Sequence, residues 1–277
     1  MVHETKVRDY YDKALDCYRS IMGDRWHFGD PESEAKGLSP TTVCEVMEEK
    51  IVKLTELGPG KRALDFGSGI GGPTIHMAKV SGASFIGVTN NPRLTATANE
   101  NAASQGLSDR AKFLEIEDTG YQALPFPDGH FDAVTTYDAV CHLTDKAIFF
   151  REVYRVLKPG GIFAGTDWLQ RPFGEYQTEE QIMKFMRPVN ENAFIPWHGT
   201  LEGHRKMITD AKLDIFLVQD LYEGVRCWGT VSDKEHEGWL TYEGKDEGWF
   251  REGKRALDRA RHAGVFTVGM FAARKSA

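Results

Sequence analysis

The chain has 277 residues, 41% apolar and 27% charged, with a formal net charge of −7 at pH 7. That length and apolar share suffice for a sizeable buried core and exclude a disordered chain. The acidic balance argues against a nucleic-acid partner, and no apolar run reaches the roughly 18 residues of an integral membrane segment.

The start, Met1-Val2-His3-Glu4-Thr5-Lys6, lacks the apolar core of a secretion signal, so a cytoplasmic protein is expected. Val7, Tyr10, Tyr11, Ala14, Leu15 and Tyr18 recur at three- and four-residue spacing, which predicts an amphipathic helix over 6–21 with an aromatic face. Gly23 to Gly29 breaks it and brings Trp26, His27 and Phe28 together. Residues 1–38 therefore read either as a plug sealing a domain edge or as a helical lid over a ligand pocket. One set of rings can do both.

Ser39-Pro40 starts a second helix, to about residue 54, and Gly58-Pro59-Gly60 ends it. A strand over 61–66 runs into a glycine turn and a helix at 72–80. Strand 84–89, a helix from Asn91-Pro92 to about 105 and strand 111–116 follow. Strand 131–137, helix 145–157 with the stop Lys158-Pro159-Gly160-Gly161, and strand 162–167 complete five strands. Further on, strands are expected at 213–221 and 265–272, with a charged helix at 252–261. Aromatic-rich insertions at about 170–205 and 223–263 read as a cap over the pocket or as packing of an extended sheet edge.

Strands alternating with helices predict an α/β, doubly wound, Rossmann-like sheet. Ligands in such sheets sit outside the carboxyl ends of the strands. That rule nominates 65–69, Thr89 and Asn90, Glu117 and Asp118, 137–142, and Asp167 with Trp168 as one cluster.

The glycine turn, Asp65-Phe66-Gly67-Ser68-Gly69-Ile70-Gly71-Gly72-Pro73, predicts a pocket floored by N–H groups for an adenosine-type cofactor. A GxGxxG alone is a weak signal. Asp65, just ahead of the turn, suits a ligand carrying an ammonium group and would repel a pyrophosphate. No second βαβαβ half for a nicotinamide is present.

With Gly87-Val88-Thr89-Asn90-Asn91, Leu124-Pro125-Phe126-Pro127-Asp128-Gly129-His130-Phe131-Asp132, Asp138-Ala139-Val140-Cys141-His142 and Glu152-Val153-Tyr154-Arg155-Val156-Leu157-Lys158-Pro159-Gly160-Gly161, the chain resembles the class I S-adenosylmethionine-dependent methyltransferases. The motifs fall in order across the first five strands. Gly71-Gly72-Pro73, Asn90-Asn91 and Cys141-His142 are most similar to the sterol C-methyltransferases, then to the tocopherol and sarcosine/dimethylglycine methyltransferases. The resemblance implies seven strands, the last antiparallel, and S-adenosyl-L-methionine as cofactor, leaving S-adenosyl-L-homocysteine. It also implies that Asp65, Gly67, Ser68 and Gly69 hold the methionine moiety and that Thr89 and Asn90 face the ribose. Glu117 or Asp118, with the Thr119 N–H, would meet the adenine, and Tyr137 and His142 would flank the sulfonium. Many relatives carry an acid where Thr89-Asn90 stands.

Methyl transfer needs in-line alignment, a dry pocket and a base for the departing proton. The candidate bases are His142, Asp167 and Glu175, with Tyr10, Tyr11 and His27 reaching in from the lid. Tyr11, Trp26, His27, Trp168, Phe173 and Trp197 are candidates for lid and acceptor contacts, aromatic faces that also stabilise cations. Cys17, Cys44, Cys141 and Cys227 lack CxxC spacing, so reduced buried thiols and no metal site are expected. The expected activity is methylation of a hydrophobic small molecule, as carbon methylation of an isoprenoid or prenylated natural product. N- or O-methylation of a small metabolite such as an amine is the alternative, and a non-catalytic cofactor-binding subunit the reading from another class. A small-molecule acceptor is the expected partner, and a homo-oligomer is compatible with the sequence.

Overall fold

The structure, a computed structural model, describes residues 2–172, 178–225, 227, 238–244 and 247–277. The N-terminal region forms α1 (His3–Met22), a short α2 (Pro31–Ala35) and α3 (Pro40–Leu54). Then come β1 (Arg62–Phe66), α4 (Gly72–Ser81), β2 (Ser84–Thr89), α5 (Pro92–Ser104), β3 (Ala111–Glu115), β4 (Phe131–Tyr137), α6 (Lys146–Val156) and β5 (Leu157–Gln170). The remainder is α7 (Glu179–Ala193), α8 (Leu201–Asp210), β6 (Leu213–Asp220), α9 (Glu247–His262) and β7 (Phe266–Lys275).

Local chemistry explains the helix starts. Ser39, Asn91 and Asp145 each accept a backbone N–H of the first turn of α3, α5 and α6, and Pro40 and Pro92 follow where no N–H is needed. Helices α7 and α8 carry the same signals, the capping box of Thr178 with Gln181 and the Thr200 cap, within and beside a stretch read above only as an aromatic insertion.

The seven strands form one sheet in the order β3-β2-β1-β4-β5-β7-β6, with β7 antiparallel to both neighbours. Strand β5 starts five residues earlier than expected. Phe131 pairs with Leu157 but Ala133 with Ile162, so Lys158-Pro159-Gly160-Gly161 is absorbed as an irregularity of the strand. Alternation divides the core. Leu64 and Phe66 face Phe149, Phe150 and Val153 of α6, whereas Ala63 joins Met47, Ile51, Ile75 and Met77 of α3 and α4. Asp65 shares the face of Ala63 by register. The order reverses between β1 and β4, which opens the cleft there.

Helix α1 lies across the carboxyl ends of the strands. Tyr10, Ala14 and Cys17 pack with Trp239 and Phe250, and Leu15 packs with Ile70 and Leu94. All four cysteines are buried and outside any disulfide. Among the described residues, no helix is long and apolar enough to cross a membrane and no side-chain cluster could hold a metal ion.

Candidate active site

Two adjoining cavities occupy the carboxyl end of the sheet. The first encloses about 990 Å³ including its open mouth, within the size of small-molecule sites. Asp65, Gly67, Ser68, Gly69, Thr89, Asn90, Asp118, Tyr137 and His142 all line it, joined by Glu4 and Tyr11 of α1. The second, about 700 Å³, is walled by Tyr10, Tyr18, Phe28, Trp168, Trp239, Trp249 and Phe250. Trp26, His27 and Asp138 line both.

The glycine turn works differently from the expectation. The N–H groups of Gly67 and Ser68 both donate to the Val88 carbonyl, so they belong to the sheet edge rather than to a ligand. Among the described residues, the N–H groups of Gly69 and Ile70 meet no acceptor, and the buried Ser68 hydroxyl has no partner. Gly67 has φ +74° and its missing Cβ would lie 2.3 Å from that of Ala139. Gly72 makes room for the protein itself, because a Cβ there would lie 2.1 Å from the Asp24 carbonyl oxygen. Asp65 is buried and accepts the hydroxyls of Thr74 and Thr135. A buried carboxylate facing free N–H groups and an orphaned hydroxyl fits the ammonium and carboxylate ends of an amino-acid moiety.

Beyond the turn, Asp118 lines the cavity whereas Glu117 is exposed away from it and Thr119 does not reach it. Asp118 is already held by α1, accepting from Thr5 at 2.6 Å and from Arg8 at 3.1 Å. Asn90 donates to Asp118 and to the Glu4 carbonyl, and the Glu4 carboxylate accepts from Tyr121 and Thr144. These bonds fasten the N-terminal helix over the cleft.

Several candidate bases lie elsewhere or are spent. Asp167 is buried off both cavities, hydrogen-bonded to His204 and to the Cys141 N–H, so it braces the loop after β4. The Tyr10 hydroxyl lies in the second cavity, 2.7 Å from that of Tyr18. Trp197 is 40% exposed and covers the Lys146 ammonium, outside both cavities. Trp168 lines the second cavity. Glu175 and Phe173 lie outside the described residues.

His27 cannot serve as a base. Its Nδ1 meets the Phe28 carbonyl at 2.8 Å and its Nε2 the Glu48 carboxylate at 3.0 Å, both acceptors, so the ring donates from both nitrogens. Burial is the largest single influence and opposes that charge, but the Glu48 bond and charge, the Asp138 charge and the Phe28 carbonyl together outweigh it and the pKa is raised. His142 is the reverse case. Burial lowers its pKa to about 4, Nδ1 donates to the Phe194 carbonyl and Nε2 accepts from the Tyr11 hydroxyl at 2.9 Å. That neutral ring is saturated too, and its effect is to orient Tyr11.

Asp138 is a further carboxylate here, not among the bases expected from the sequence. It follows β4 with φ 50°, a backbone conformation rare for a non-glycine. One carboxylate oxygen accepts the Phe28 N–H and the other the Thr166 hydroxyl, each at 2.9 Å. Each oxygen keeps a lone pair, and burial raises the pKa to about 6. Its signal was its position at a strand end inside the nominated segment 137–142.

A seven-stranded sheet of this order, with the glycine turn and Asp65 at its reversal point, defines the class I S-adenosylmethionine-dependent methyltransferase fold. Residues 64–165 match the methyltransferase domain family. Among curated proteins it is 33% identical over 179 residues to the cycloartenol-C-24-methyltransferase of Arabidopsis thaliana, covering 64% of this chain and 52% of that one. The chain thus spans about half the length of that relative. Among solved structures it is similar to the [4+2]-cyclase SpnF, with a TM-score of 0.82, 22% identity and coverage of 99% and 97%. It is also similar to the geranyl diphosphate C-methyltransferase of Streptomyces coelicolor A3(2), with a TM-score of 0.71, 18% identity and coverage of 99% and 98%.

A pH dependence of cofactor binding follows from Asp65, whose pKa burial raises to about 6. A cationic ligand group binds the carboxylate form, so affinity rises with pH through that value and levels off above it. Calorimetry with S-adenosylhomocysteine should show up to about tenfold weaker binding per pH unit below 6. A flat profile would remove Asp65 from ligand recognition.

Proposed function

We propose that the protein is an S-adenosylmethionine-dependent methyltransferase acting on a hydrophobic small molecule, with carbon methylation of an isoprenoid-type acceptor as the favoured reaction. The observation that carries this reading is the pair of adjoining cavities, one over the glycine turn and Asp65 and one walled by aromatic rings, meeting at Trp26, His27 and Asp138. The sterol C-24-methyltransferase and geranyl diphosphate C-methyltransferase among its relatives support the acceptor class.

When bound, the cofactor supplies a methyl group on a sulfonium. The chain's own residues do the rest. Asp65, Ser68 and the N–H groups of Gly69 and Ile70 would hold its amino-acid end, and Thr89, Asn90 and Asp118 its nucleoside end. Residues 1–38 act as the lid and residues 39–277 as the methyltransferase domain with its cap. The aromatic wall excludes water and stabilises positive charge on the acceptor. Asp138, at the junction, takes the acceptor's proton on a carboxylate oxygen. Four buried cysteines outside any disulfide support work in the cytosol.

Incubation with methyl-labelled cofactor and pools of terpenoids, sterols and amines tests the proposal. Label on carbon of a terpenoid or sterol is expected, and label only on nitrogen or oxygen overturns the carbon assignment. A second reading, rearrangement without methyl transfer, is favoured by the likeness to a [4+2]-cyclase over nearly the whole chain. It predicts a changed but unlabelled product.

A further inference from the structure

Helices α7 and α9 pack through Ile182, Met186 and Val189 against Ala256, Leu257 and Ala260. One turn before Ala256 and Leu257, the packed seam opens onto the second cavity, and Gly253 stands there with Asn192 and Ala193 across from it. These three small or short residues interrupt a wall that is otherwise largely aromatic.

Nothing in the backbone demands glycine at 253. It lies within a helix of 16 residues, where glycine is weaker than alanine. Its φ is not positive, and a Cβ there would meet only the Asn192 Cβ, at 3.4 Å, which is ordinary contact. What the missing side chain does is leave space at the cavity floor.

We propose that Gly253 is a specificity-determining residue that sets how long an apolar acceptor the second cavity accepts. This rests on the reading of that cavity as the acceptor site. The reacting end of the acceptor lies at the junction with Asp138, and its far end reaches the α7–α9 seam. Lengthening the side chain at 253 shortens the cavity from the floor and leaves the cofactor cavity, which Gly253 does not line, unchanged.

The test compares binding of geraniol, farnesol and geranylgeraniol, read from the fluorescence of the cavity tryptophans, in the wild type, Gly253→Ala and Gly253→Leu. Gly253→Ala should melt at or above the wild-type temperature. Gly253→Leu should lose roughly 10–100-fold affinity for the longest alcohol while keeping that for geraniol and for S-adenosylhomocysteine. An equal change for all three alcohols, or none, overturns the length gauge while the acceptor reading stands. A wild type that binds none of the three overturns the acceptor reading, and the gauge with it.

Discussion

Replacing Asp138 by asparagine is expected to lower turnover about 100- to 10,000-fold, the range for losing a general base, with little change in S-adenosylhomocysteine affinity. Asparagine keeps the volume and can still accept the Phe28 N–H through its carbonyl while its amide meets the Thr166 hydroxyl, so the junction stays in place. The pH profile separates chemistry from structure. Asp138 titrates near pH 6, pushed up chiefly by burial, and acts as a base only when ionised. Wild-type turnover at saturating substrates should therefore rise through about pH 6 and then level off. In the asparagine variant that limb should vanish along with the rate. A variant that retains both would move the base elsewhere, with the Tyr11–His142 pair next in line.

The second large effect concerns stability. Glu48 is fully buried in α3, and one of its oxygens accepts from both His27 and Arg25. It is the counter-charge that fastens the Trp26-His27-Phe28 segment, the partition between the two cavities, to the body of the domain. Glu48→Gln leaves buried positive charge without a partner, which costs about 3–5 kcal/mol and lowers Tm by on the order of 10 °C. The sign with pH follows from His27. Its pKa is raised in the fold, so its contribution is complete below the ordinary histidine value and is lost as pH rises through the raised one. The double variant Glu48→Leu with His27→Phe should cost less than Glu48→Gln alone, because no buried histidine charge is then stranded. A Glu48→Gln protein that melts like the wild type would show that the pair carries no stability.

Much of the fold was legible because its signals are local. The helix caps at Ser39, Asn91 and Asp145, the two-residue alternation around Leu64 and the glycine turn all act within a few residues of themselves. The cap was less legible. Its α7 has a capping box at Thr178 that a search for strand period and aromatic content passes over. In the site, Asp65, Ser68, Thr89, Asn90, Tyr137 and His142 lie on the cofactor cavity because strand ends converge by topology alone. Asp167 was expected at a strand end, but β5 runs on to Gln170 and buries it against His204, whereas Glu117, just past β3, turns to solvent. Residue type and strand position do not determine which way a loop side chain points.

The sequence by itself determined the fold class. An acidic residue ahead of a glycine turn, followed by strand ends and motifs in order, specifies a doubly wound sheet and a ligand with an ammonium group. Only the tertiary structure decided how the site divides its work. Which groups are free depends on hydrogen bonds between segments far apart in the chain. Phe28 engages Asp138, Glu48 engages His27, and Phe194 and Tyr11 engage both nitrogens of His142. The aromatic cavity likewise exists only where α1, residues 26–28, Asp138, the end of β5, α7, residue 239 and α9 meet. No periodicity within one segment encodes a space between segments so far apart in the chain.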